Sequence, residues 1–242
     1  MLDLLGRALL SPIDYHHYLY RHKLSFKERI NEGNGVFSFI FETDHSFTWL
    51  AGQHGVFRLP NESITGKSWR AFSVASSSYE NVVKISTNIL PKPSDFKAKL
   101  QNLNVGDLAT INGPYGEFHT KQNDGQLIGI AGGIGITPFR AILYEIANNH
   151  LSGTSLELIY AGKNDYFTYK DELDRFADHP AIKIHYVNTP EEVNQQIDIL
   201  TNHYKNTAKY FISGSPGMIT AVKNTLKSKG IKRIINDPFK GY

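Results

Sequence analysis

The tightest constraint on this chain is the run Gly129-Ile130-Ala131-Gly132-Gly133-Ile134-Gly135-Ile136-Thr137-Pro138-Phe139-Arg140. An apolar segment, 127–131, meets Gly132, Gly133 and Gly135, and a Thr-Pro pair then opens a helix-like stretch through Ala147. A backbone without Cβ atoms lets a flat or anionic group lie against such a turn. Pro138 falls in the first helical turn, where its missing N–H is harmless. The free N–H groups and positive end of the helix then face whatever covers the glycines, which suits a phosphate-bearing cofactor. Tight strand–helix turns also take glycine for packing alone, so this motif by itself leaves both readings open.

A chain of 242 residues accommodates one large domain or two of about 100–120 residues. No run approaches the roughly 18 apolar residues of a membrane span. The absence of cysteine excludes disulfides, thiolate-ligated iron–sulfur clusters and a cysteine nucleophile within the chain. A net charge of +3 without a Lys/Arg block argues against a nucleic-acid partner. The ten histidines show no metal-ligand spacing, so no metal is expected, and no G-x-S-x-G elbow marks a hydrolase. Residues 1–10 are apolar but interrupted by Asp3 and Arg7, without a clear cleavage site, which makes the cytoplasm the default location.

The pattern changes near residue 122. Before it, short runs at 36–41, 54–59, 70–75, 82–87 and 108–112 read as strands of an antiparallel barrel or sandwich. Ser94 caps one helix there, with Phe96 and Leu100 on its buried face. After Gly125, strands at 127–131, 156–160, 182–187, 210–213 and 232–235 alternate with helices at 138–148, 170–177, 191–204 and 217–229. Such alternation implies a parallel sheet covered on both faces, with ligands beyond the carboxyl ends of its strands. The expected division is an N-terminal segment 1–22, read as a short helix or a membrane-surface or partner contact, a β domain 23–121, and an α/β domain 122–242.

Further segments carry candidate chemistry. Arg70 and Phe72 share one strand face, offering a cationic fork and a flat ring, although a half-exposed strand accounts for them equally. The helix start at Ser94 suits one side of a pyrophosphate, or is a plain cap. Ser213-Gly214-Ser215-Pro216-Gly217-Met218 repeats the strand–turn–helix pattern, and two such turns at one sheet edge flank a crevice for a dinucleotide. The tail 235–242 carries Phe239 and Tyr242, which suggests docking rather than disorder.

Taken in order, these pieces resemble the ferredoxin–NADP reductase superfamily. Arg70-Ala71-Phe72-Ser73 is similar to its R-x-[YF]-[ST] flavin motif, and Gly113-Pro114-Tyr115-Gly116-Glu117-Phe118 to its G-P-[FY]-G-x-F segment. Gly132 through Pro138 resembles G-G-x-G-x-T-P, Tyr169-Lys170-Asp171-Glu172-Leu173 resembles [FY]-x-[DE]-E-[LF], and Ser213 through Met218 resembles [CSY]-G-x-x-x-M. The ending at Asp237–Tyr242 resembles stand-alone bacterial-type FAD oxidoreductases. The resemblance implies a six-stranded flavin barrel, a five-stranded NAD(P) domain, FAD as cofactor, NADH or NADPH as co-substrate, and a separate electron-acceptor protein, ferredoxin-like or other. It implies Arg70 on the FAD pyrophosphate with Ser94 completing that site, Phe72 against the flavin, and Ser73 near flavin N5. It further implies Gly132, Gly133, Gly135 and Thr137 cradling the NAD(P) pyrophosphate, Gly214, Pro216 and Met218 lining the nicotinamide side, and Phe239 or Tyr242 covering the second flavin face. Three departures qualify it. Phe72 replaces a commoner tyrosine, as in flavin reductases that release their flavin. Ser213 replaces a frequent cysteine. Asn188-Thr189-Pro190 lacks the Ser-Arg pair with which plant-type members hold a 2′-phosphate, which leans toward NADH. Alternatives are an NAD(P)H:flavin reductase and a non-catalytic nucleotide-binding subunit.

Overall fold

The computed structural model describes residues 20–43 and 47–237. The expected N-terminal helix therefore lies outside the described residues up to residue 19. Strand β1 (His22–Gly33) pairs antiparallel with β2 (Val36–Thr43) through a turn in which Asn34 and Gly35 take positive φ. No strand was expected over 23–30, yet β1 is the longest in its sheet. Its first half alternates, with His22, Leu24 and Phe26 inward. A register shift between Phe26 and Glu28 then breaks the alternation, and the charged run Lys27-Glu28-Arg29 hides the strand.

The remaining strands of this sheet are β3 (His54–Arg58), β4 (Trp69–Ser73), β5 (Val82–Asn88) and β6 (Leu108–Tyr115), in the order β4-β3-β6-β1-β2-β5. The edges approach one another: Ala75 N donates to Lys84 O at 2.7 Å, and Lys84 N donates to Ser76 Oγ at 2.9 Å. These bonds curl the sheet toward a barrel around Phe39, Phe41, Phe57, Val83, Ile85 and Ile111. Helix α1 (Asp95–Gln101) plugs one end with Phe96 and Leu100. The fifth expected strand stops at Asn112, but β6 runs on through Gly113-Pro114. The irregular pairing of β3 with β6 accommodates the proline there, because that position requires no N–H donor.

The strands of the second sheet are β7 (Gly125–Gly132), β8 (Thr154–Ala161), β9 (Ile182–Val187), β10 (Lys209–Ser213) and β11 (Ile234–Asn236). They run parallel, in the order β11-β10-β7-β8-β9. Helices α2 (Thr137–Ala147) and α3 (Lys170–Phe176) cover one face, while α4 (Pro190–Tyr204) and α5 (Pro216–Ser228) cover the other. Leu127 joins the first layer and Ile128 the second, as period-two strands buried on both faces require. Among the described residues, no helix is long and apolar enough to cross a membrane.

Candidate functional site

Strands β4 and β5 of the first sheet face the turns that follow β7 and β10 across a cavity of about 420 Å³. Phe72, Ser73, Gly132, Gly135, Thr137, Gly214 and Pro216 all line it, although they stand far apart in sequence. Gly133 borders a second cleft instead, beside Lys163 and Tyr166. Met218 borders a third, between the starts of α4 and α5, beside Asn188 and Thr189. Phe239 and Tyr242 lie outside the described residues.

The geometry centres on a side chain that the sequence reading left off its site. Asp237 follows β11 directly, its N–H donating to Ile212 O at 2.9 Å. Its buried carboxylate receives two hydroxyl donors on one oxygen: Ser73 Oγ at 3.2 Å and Ser213 Oγ at 3.1 Å. Ser73 ends β4 and Ser213 ends β10, so one carboxylate joins the two domains at the cavity wall. The arrangement fixes the direction of both hydroxyls and can hold or relay a proton.

Arg70 does not line the cavity itself. Its guanidinium donates through Nη1 to Lys67 O at 2.6 Å and Trp69 O at 2.9 Å, and lies 5.4 Å from the Phe96 ring centroid. Lys97 does line it, donating to Asn88 O at 2.8 Å. Burial, then the neighbouring Arg70 charge, hold the Lys97 amine below the usual lysine range. Two cations kept this close fit an anionic group of high charge such as a pyrophosphate. Ser94 marks the start of α1, but its hydroxyl makes no capping bond, contrary to expectation. Asp95 anchors the helix start instead, accepting from Thr65 N at 2.6 Å.

The glycine turn serves two purposes. A Cβ on Gly135 would sit 2.5 Å from the Ser213 carbonyl carbon and 2.6 Å from Gly214 N. This glycine lets the two turns meet, which is the packing reading of the motif. Gly133 has φ +52 and open space where a Cβ would project, so it leaves the turn backbone bare toward its cleft. The donor set, the paired cations and the bare turn fit an FAD beside Ser73 with a nicotinamide nucleotide across the glycine turns.

Comparison with known proteins bears on the same division. The model of the oxidoreductase FAD-binding domain matches residues 21–120, and that of the oxidoreductase NAD-binding domain matches residues 130–224. The chain is thus built of an oxidoreductase FAD-binding domain followed by an oxidoreductase NAD-binding domain. Domains of these two kinds are those of oxidoreductases that pair FAD with a nicotinamide nucleotide. Similar curated proteins include one subunit of the Na(+)-translocating NADH-quinone reductase of Actinobacillus pleuropneumoniae, 26% identical over 199 residues, and the same subunit from Haemophilus ducreyi, 27% identical over 200 residues. Each alignment covers 71% of this chain and 49% of the relative, so the chain spans about half the length of these relatives. Among solved structures, the ferredoxin-NADP+ reductase from Plasmodium falciparum aligns with a TM-score of 0.77 at 21% identity, covering 91% of this chain and 98% of that one. A flavohemoglobin from Malassezia yamatoensis aligns with a TM-score of 0.77 at 23% identity, covering 97% of this chain and 65% of that one.

Proposed function

We propose that this protein accepts hydride from a nicotinamide nucleotide, with NADH preferred, and passes electrons singly from FAD to a separate acceptor protein in the cytoplasm. The observation that carries the reading is the Asp237 carboxylate bonded by one hydroxyl from each domain, at the wall of a cavity between the two cofactor-binding halves. FAD, when bound, would supply the chemistry that links a two-electron hydride donor to single-electron transfer. The chain supplies position and electrostatics. Arg70 and Lys97 hold the pyrophosphate of FAD, and Phe72 gives a flat apolar surface, packing edge-on against Phe57 with ring centroids 5.6 Å apart. Asp237 orients the Ser73 hydroxyl at the flavin edge, while Gly132, Gly135, Thr137, Gly214 and Pro216 admit the nicotinamide. The resemblance assigns the covering role on the flavin to Phe239 or Tyr242. Deleting Gly241-Tyr242, or Phe239→Ser, should then shift the flavin spectrum and nicotinamide affinity, and unchanged values would refute it.

The lack of a Ser-Arg pair at Asn188-Thr189 and the likeness to NADH-quinone reductase subunits both support NADH. The test is gel filtration of the purified protein followed by turnover with a one-electron acceptor. FAD should co-elute with the chain and the acceptor should be reduced. FAD that elutes free and is itself turned over would favour a flavin reductase instead.

A further inference from the structure

Helix α2 begins at the cavity and turns Arg140 inward, leaving its side chain 5% exposed. The guanidinium bonds three acceptor groups on two separate segments. Nη1 donates to Ala75 O at 3.1 Å and to the Glu80 carboxylate at 2.6 Å. Nη2 and Nε donate to the two oxygens of Glu172 on α3, at 2.5 and 3.0 Å. Further along α2, Glu145 accepts from Ser77 Oγ at 2.6 Å, and beyond its end His150 stacks on Tyr79 at 3.8 Å between centroids. The segment 75–80 continues β4 from Ser73 and is itself stiffened by a Ser77–Glu80 capping box. It is fastened to α2 at Arg140 and Glu145, and to His150 just beyond it.

We propose that Arg140 is a positioning residue for hydride transfer, fixing the nicotinamide-side turn against the strand that ends in Ser73. The proposal rests on the hydride-accepting reading above. A buried ion network is no better than apolar packing at joining two surfaces. It differs in geometry, because a planar fork facing two carboxylates and a carbonyl admits one arrangement. Hydride transfer depends on that arrangement, since a misplacement of about 1 Å from a remote change lowers a rate by on the order of 10²-fold.

The experiment uses the FAD-loaded full chain and the variants Arg140→Lys, Glu80→Gln and Ser77→Ala. Stopped-flow reduction across NADH concentrations separates nucleotide affinity from the limiting rate. Calorimetry of the same chains, with and without FAD, reads the coupling of the domains. Arg140→Lys should retain FAD and bind NADH within about threefold of the parent, while the limiting rate falls on the order of 10²-fold. Glu80→Gln and Ser77→Ala should follow with smaller losses. Unfolding of the flavin-free Arg140→Lys chain should separate into two transitions where the parent shows one. A folded Arg140→Lys protein reduced at the parental limiting rate overturns the proposal, whatever its melting temperature. Should that variant fail to fold, parental limiting rates in both Glu80→Gln and Ser77→Ala overturn it equally. A parent chain that NADH does not reduce refutes the oxidoreductase reading itself, and the proposal with it.

Discussion

Gly135→Ala separates the two uses of the glycine turn. The added methyl carbon would lie 2.5 Å from the Ser213 carbonyl carbon and 2.6 Å from Gly214 N, where ordinary contacts are 3.4–4 Å. Both neighbours are backbone, so no side chain can swing away. The turn after β10 must retreat by about 1 Å, carrying Ser213 away from Asp237. Overpacking of this kind costs about 1–3 kcal/mol, which in a chain of this size lowers the melting temperature by roughly 2–12 °C. A displacement of that size at the nicotinamide side should slow flavin reduction by on the order of 10²-fold. Gly133→Ala is the control. Its methyl meets nothing within 4 Å, but φ +52 is strained for alanine by about 1–2 kcal/mol. It should therefore destabilise comparably while leaving Ser73, Asp237 and Ser213 in place, with reduction at saturating NADH within about threefold of the parent. Thermal unfolding and stopped-flow absorbance measure both quantities. Parental stability and parental reduction rate in Gly135→Ala would refute the close-approach argument.

Arg70→Ala should weaken FAD binding by about 1.5–3 kcal/mol, through loss of a charge-assisted contact to the pyrophosphate. Equilibrium dialysis would read this, and unchanged affinity would remove Arg70 from the cofactor site. Burial lowers the His54 imidazole from 6.5 to about 4, so the folded state holds it neutral while the unfolded chain takes up a proton. Its stabilising contribution is complete above pH 6.5 and is lost as the pH falls toward about 4, by about 3 kcal/mol in all. Urea unfolding across that window should show the slope in the parent and lose it in His54→Phe. A parent whose stability stays flat over the window would contradict the burial argument.

The α/β half was legible almost residue by residue, because buried parallel strands read as apolar runs and each helix carries its own start signal. Ile182–Val187 was expected and observed with the same ends. Thr189 with Glu192 forms the capping box that opens α4. Strand β1 was not legible, since a register shift and three consecutive charges conceal its buried face. The glycine turns announced the cavity, yet half of its chemistry did not appear in any local pattern. Asp237 stands 164 residues from Ser73 and 24 from Ser213, and only strand order brings the three together. Lys97 sits inside a stretch that reads as a capped helix, and nothing local shows that it lies under the influence of the Arg70 charge. Arg140 looks like a helix surface residue until Glu80 and Glu172 enclose it from both domains.

The proposed function stands on the reduction, by a nicotinamide nucleotide, of FAD held between these domains. Anaerobic titration of the FAD-loaded chain with NADH, followed by visible flavin absorbance, tests it most directly. The expected result is a yellow protein with one FAD per chain, bleached fully by a single equivalent of NADH. A chain that binds no FAD, or whose bound flavin keeps its colour under excess NADH and NADPH, would contradict it.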